Sequence, residues 1–85
     1  MLLAKMGRTG QDYIIILEFS DGNMEQKAAD VVKAYGKRVS VKTKTVTDTA
    51  MEVTYAVSLA GEEAKLVNDL KAIRGVEKAV LVSYN

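Results

Sequence analysis

Eighty-five residues, 48% of them apolar, suffice for one small core, and twelve Lys and Arg set against eleven Asp and Glu leave the chain almost neutral. That balance provides no global field to recruit nucleic acid or a membrane. Histidine and cysteine are absent, which removes the commonest general base, the soft metal ligands, thiol nucleophiles and disulfides.

The first ten residues, "MLLAKMGRTG", hold too short an apolar stretch for a signal peptide. They read as a flexible N-terminal segment or the remnant of a linker, so the domain is expected over residues 11–85. "IIIL" (14–17), the longest apolar run, is far too short to cross a bilayer. "DYIIILEF" (12–19) reads as a strand, with Tyr13, Ile15, Leu17 and Phe19 on one face and Ile14, Ile16 and Glu18 on the other. The turn cluster "SDGN" comes next, and Asn23 is expected to cap a helix, with Gln26 completing a variant of the capping box.

Met24, Ala28, Val31, Val32 and Tyr35 recur at helical spacing, and Gly36 is placed where a left-handed cap would end that helix. "KRVSVKTKTV" (37–46) alternates, with Val39 and Val41 facing one way and Arg38, Ser40, Lys42 and Lys44 the other. "TDT" (47–49) reads as a hairpin bend. "AMEVTYAVSL" (50–59) sets Met51, Val53, Tyr55, Val57 and Leu59 against Glu52, Thr54, Ala56 and Ser58. A second helix then turns Leu66, Val67, Leu70 and Ile73 inward and is expected to end at Gly75, before the last strand, "VEKAVLVSY" (76–84).

The pairs Gly22/Gly36 and Gly61/Gly75 have equal spacing, so the chain repeats one βαβ plan twice. Pairing rules and right-handed crossovers then predict an α+β ferredoxin-like βαββαβ sandwich. Its four-stranded antiparallel sheet has the first and third strands at the centre, the second and fourth at the edges, and two helices on one face. The other face would show Ile14, Ile16, Thr54 and Ala56, joined by Leu81 or by Val80 and Val82. Such an aliphatic strip predicts a homodimer or docking interface.

Tyr13, Phe19 and Tyr55 fall on the helix-covered side and read as core, so the open face lacks the aromatics on which RNA-binding sheets stack bases. Glu62 and Glu63, in a helix's first turn, complement its dipole. No residue set predicts catalysis, a metal site or a cofactor. Lys33, Lys37, Arg38, Lys42 and Lys44 occur with no acid among them. Lys37, Arg38, Lys42 and Lys44 form a basic patch, read either as protection of an edge strand or as contact with lipid headgroups or nucleic acid.

The two-half pattern, "SDGN" before the first helix, and "IRGVEKAVLVSY" with its Gly75–Val76 step resemble an ACT-like regulatory domain over residues 11–85. "VKTKTVTDTAMEVTYAVSL" with "IRGVEKAVLVSYN" is similar to the C-terminal cytoplasmic tails of uncharacterised bacterial polytopic membrane proteins. These resemblances imply a non-enzymatic cytoplasmic regulatory or oligomerisation domain, the soluble tail of a membrane protein, that pairs with itself and senses a small metabolite such as an amino acid. They imply a ligand at Ser20, Asp21, Gly22 and Asn23, where Asp21 would meet an ammonium group and the Gly22 and Asn23 amides a carboxylate. Many ligand-binding members carry a proline before the glycine, where this chain has Asp21. The alternative is a small nucleic-acid-binding or free-standing protein-interaction module of the same fold.

Overall fold

Alternation of aliphatic and polar residues makes strand β1 (Gln11–Phe19), and its period of two decides which side chains reach the core. The computed structural model describes residues 11–20 and 22–83. Residues 1–10, Asp21, Tyr84 and Asn85 lie outside the described residues, and with them the expected linker remnant, the ammonium contact of Asp21 and the end of the last strand. Ile15, Leu17 and Phe19 are buried, each contributing about 1.5–3 kcal/mol by leaving water.

The remaining elements are α1 (Glu25–Tyr35), β2 (Lys37–Val46), β3 (Met51–Leu59), α2 (Glu63–Lys71) and β4 (Val76–Ser83). The sheet order is β2-β3-β1-β4, with every pair antiparallel. This is the expected ferredoxin-like arrangement, with β1 and β3 central and the last strand beside the first. Val53, Tyr55, Val57 and Leu59 complete the buried row of the sheet. Ala28 and Val32 of α1, together with Leu66 and Leu70 of α2 and Ile73 just beyond it, close over that row. Val67, expected inward, is only half-buried. The Tyr35 hydroxyl donates to the Asp69 carboxylate, tying α1 to α2, and the Tyr13 hydroxyl donates to Glu63 at 2.6 Å, tying β1 to α2.

Several local expectations are corrected. A 3-10 turn over Gly22–Met24 delays α1 until Glu25, and Met24 at the cap position makes no side-chain cap bond. Asn23 is therefore not the helix cap, and the Gln26 amide donates forward to Asp30 at 2.9 Å rather than back. Gly36 is extended (φ −116°, ψ 170°), not left-handed. Its glycine answers a different need, because a Cβ built there would lie 2.1 Å from Val57 Cγ2. The second helix ends at Lys71, before Gly75. Gly75 (φ 99°) forms the turn into β4, where its carbonyl accepts the Ser20 amide at 2.8 Å.

The largest departure is in β2. Its register against β3 slips by one residue between Lys37 and Ser40 and again between Val41 and Thr43. Arg38 takes up the first slip with φ 55°. Each extra residue inverts the facing of the side chains after it. Lys44 therefore pairs with Val53 on the helix side, while Lys37 and Ser40 pair with Ser58 and Ala56 on the open side. Simple alternation puts Lys44 with Ser40 instead.

Candidate functional site

Two surfaces are built by this geometry. The first is the open face of the sheet. The registers place Ala56, Ile14 and Val82 in one row across β3, β1 and β4, and Thr54, Ile16 and Val80 in the next. Leu81 pairs with Ile15 and is turned toward the core, so Val80 and Val82 complete the strip. These two valines are 38% and 46% exposed, whereas Ile14, Ile16, Thr54 and Ala56 are half-buried by their neighbours. A Glu52–Glu18–Lys78 row borders the strip at one end and Asp12 with Ser58 and Lys37 at the other. An apolar patch with a charged rim at both ends is how protein interfaces are commonly laid out.

The second surface is a cleft of about 530 Å³ between α1 and β2. It lies where the two bulges interrupt the pairing of β2 with β3, beside the face of α1 that does not pack on the core. Gly22 and Asn23 stand at its mouth and Tyr55 in its floor. Burial of Tyr55 pushes its phenol above the ordinary value, with a further push from the Glu25 carboxylate. Glu25 and Lys44 meet there at 2.8 Å, the one ion pair between the described residues. Lys33 adds a second cation, and Val39, Val41 and Ala29 an aliphatic wall.

Of the residues expected to form a ligand loop, Gly22 and Asn23 share this cleft, and Gly22 also lines, with Ser20, a smaller one of about 170 Å³ against the 47–50 hairpin loop. Gly22 is not sterically demanded, since a Cβ there would meet only the flexible end of the Met51 side chain at 2.9 Å. Lys44 of the basic patch joins Gly22 and Asn23, while Lys37, Arg38 and Lys42 stay exposed on or near the strand edge. Glu25 and Tyr55 were not anticipated at a site, and Lys33 only as part of the basic stretch. The only signal for Tyr55 was a hydroxyl-bearing ring in an otherwise aliphatic inward row.

The cleft offers charges of both signs, a phenol and an apolar wall, which is a composition for binding. Among the described residues, no group of three His, Cys, Asp or Glu side chains converges to hold a metal ion. No helix among them is long and apolar enough to cross a membrane.

The fold defined by the element order and the sheet is ferredoxin-like, of the arrangement seen in ACT domains. Within it, the chain is similar to the C-terminal domain of the MgtC protein from Mycobacterium tuberculosis, with a TM-score of 0.70 and 14% identity over 89% of each chain. It is also similar to the ACT domain from GTP pyrophosphokinase of Chlorobium tepidum, with a TM-score of 0.64 and 14% identity over 87% of this chain and 100% of that one. A homoserine dehydrogenase from Thiobacillus denitrificans contains a like fold, with a TM-score of 0.64 and 8% identity over 94% of this chain but 19% of that one. No protein-family model matches the chain, and comparison with curated proteins finds no relative. The resemblance to ACT-like domains read from the sequence is thus borne out in the fold.

Proposed function

We propose that this chain is a non-enzymatic regulatory domain that works by self-association through the open face of its sheet. The observation that carries this reading is the pair of aliphatic rows around Ile14 and Ile16, uncovered by any element among the described residues and rimmed by charge. The cleft between α1 and β2 is then the place for a small metabolite, with the Gly22 and Asn23 segment, Lys44 and Glu25 around it. A ligand there would act on assembly through α1, whose other side packs on the core.

The domain serves as the cytoplasmic tail of a membrane protein. That assignment is supported by the resemblance noted for residues 41–59 and 73–85, and by fold likeness to a domain that is C-terminal in its own protein. Sedimentation equilibrium tests the self-association. The wild-type chain is expected to show a mass that rises with concentration toward a dimer, and Ile16→Lys, which sets a charge in the middle of the strip, a constant monomer mass. A wild-type mass that stays monomeric at high concentration, or an Ile16→Lys variant that pairs as well as wild type, would refute it.

A further inference from the structure

The outer edge of β2 carries Arg38 and Lys42 at or beside its two bulges, and Lys37 at its start. Lys33 lies on the adjoining part of α1. The only ion pair between the described residues takes Lys44, so none of these four has a carboxylate partner among them. Five of the twelve cations fall within residues 33–44 and none of the eleven acids does, so the rest of the chain is acidic overall. Positive charge is thus concentrated in this stretch despite the near-neutral sum. Lysines on an edge strand ordinarily prevent a second strand from docking. Here two bulges already spoil that edge, and Arg38 holds a left-handed backbone that glycine or asparagine adopts more cheaply. The lysines are therefore not the only feature that protects this edge. Val41 and Val46, 53% and 67% exposed, stand between and beyond the lysines on the helix side of β2.

We infer that this edge is a docking surface for an anionic lipid membrane. Several exposed cations interleaved with aliphatic side chains match a headgroup layer over an acyl boundary, where each Lys or Arg strengthens binding about fivefold and the valines bury apolar area. A single-stranded nucleic acid fits less well, because no aromatic ring accompanies the cations to stack a base. Lys37 also borders the open strip, and Lys33 and Val41 also line the cleft, while Arg38, Lys42 and Val46 do neither.

The test is co-sedimentation of the full chain with phosphatidylcholine vesicles containing or lacking phosphatidylserine, at low and high salt. Circular dichroism confirms that each variant is folded. Binding is expected only to the anionic vesicles, and it should collapse at high salt, where screening shortens to about 3 Å at 1 M. Arg38→Asn, which keeps the left-handed backbone, combined with Lys37→Gln and Lys42→Gln, is expected to weaken it about a hundredfold. Lys33→Gln, on the helix, provides a second variant that leaves β2 untouched and should weaken it about fivefold. Val41→Ser with Val46→Ser should weaken it without changing its salt dependence. No binding at low salt, equal binding to neutral vesicles, wild-type affinity in the charge variants, or release of the bound chain by a single-stranded oligonucleotide would each overturn the assignment.

Discussion

Gly36→Ala isolates the steric role of one residue. The added methyl would lie 2.1 Å from Val57 Cγ2, 3.2 Å from Leu59 Cδ2 and 3.3 Å from the Ser58 carbonyl oxygen. The last two contacts yield to small shifts, but the first does not. Val57 is buried and β-branched, so turning it away costs a disfavoured rotamer, and moving β3 disturbs the central pairing. Overpacking of this kind costs about 1–3 kcal/mol, while losing a glycine from the unfolded chain returns about 0.4–1 kcal/mol. A net loss of about 1.3 kcal/mol is expected, or roughly 8 °C in Tm for a domain of this size. Urea denaturation and thermal melting measure it. Gly36→Asn should be no better than alanine, although asparagine tolerates a left-handed cap. With Val57→Ala already in place, Gly36→Ala should cost less than about 0.5 kcal/mol. A Gly36→Asn variant as stable as wild type, or a full penalty persisting beside Val57→Ala, would refute the steric account.

Alkaline stability should report both tyrosine bonds, because the bond to Glu63 raises the Tyr13 phenol too, whereas acid stability reports the bond between Tyr13 and Glu63. The Tyr35 hydroxyl, held by Asp69, is pushed up to about 12 from its ordinary 10, so the stability it lends is complete below pH 10 and is lost as pH rises toward 12. Tyr35→Phe should make that part of the stability–pH curve less steep, leaving the share of Tyr13 and Tyr55, whose phenols are also raised. The bond from Tyr13 lowers the Glu63 carboxyl from 4.5. Its stability is therefore present above that value and lost as pH falls through the lowered one, and Tyr13→Phe should reduce the slope, leaving the part owed to a backbone hydrogen bond at Glu63. A double-mutant cycle on Glu25→Gln and Lys44→Gln should show coupling of about 0.5 kcal/mol at low salt, since both side chains are partly exposed. That coupling should vanish at about 1 M salt. Coupling that survives high salt would mean a pair shut away from solvent.

How far the sequence can be read depends on where the chain is regular. β1 and β3 alternate without interruption, so parity alone turns Ile15, Leu17, Phe19, Val53, Tyr55, Val57 and Leu59 inward, and all are buried. The same parity defines the open strip, and the β1–β4 register decides between Leu81 and its neighbours. β2 resists because a bulge is a change of count, with no residue type that announces it. Arg38 in a left-handed backbone and the slip beside Lys42 turn Lys44 from the open side to the cleft. The site is therefore legible only in part: the turn cluster points to Gly22 and Asn23, while Glu25, Lys33 and Tyr55 meet Lys44 there only because the register of β2 slips. Gly36 reads as a helix cap because glycine after a helix usually is one, yet here it makes room for a valine distant in sequence. The early end of α2 at Lys71 likewise results from the turn that brings Ile73 into the core.

Assembly through the uncovered side of the sheet is the claim on which the regulatory reading rests, and methyl NMR addresses it most directly. In a mixture of isotope-labelled and unlabelled chains, intermolecular Overhauser contacts are predicted at the methyl groups of Ile14, Ile16, Val80 and Val82, fading together on dilution. Contacts confined to other surfaces, or methyl shifts at those four residues that stay constant over the whole concentration range, would contradict it.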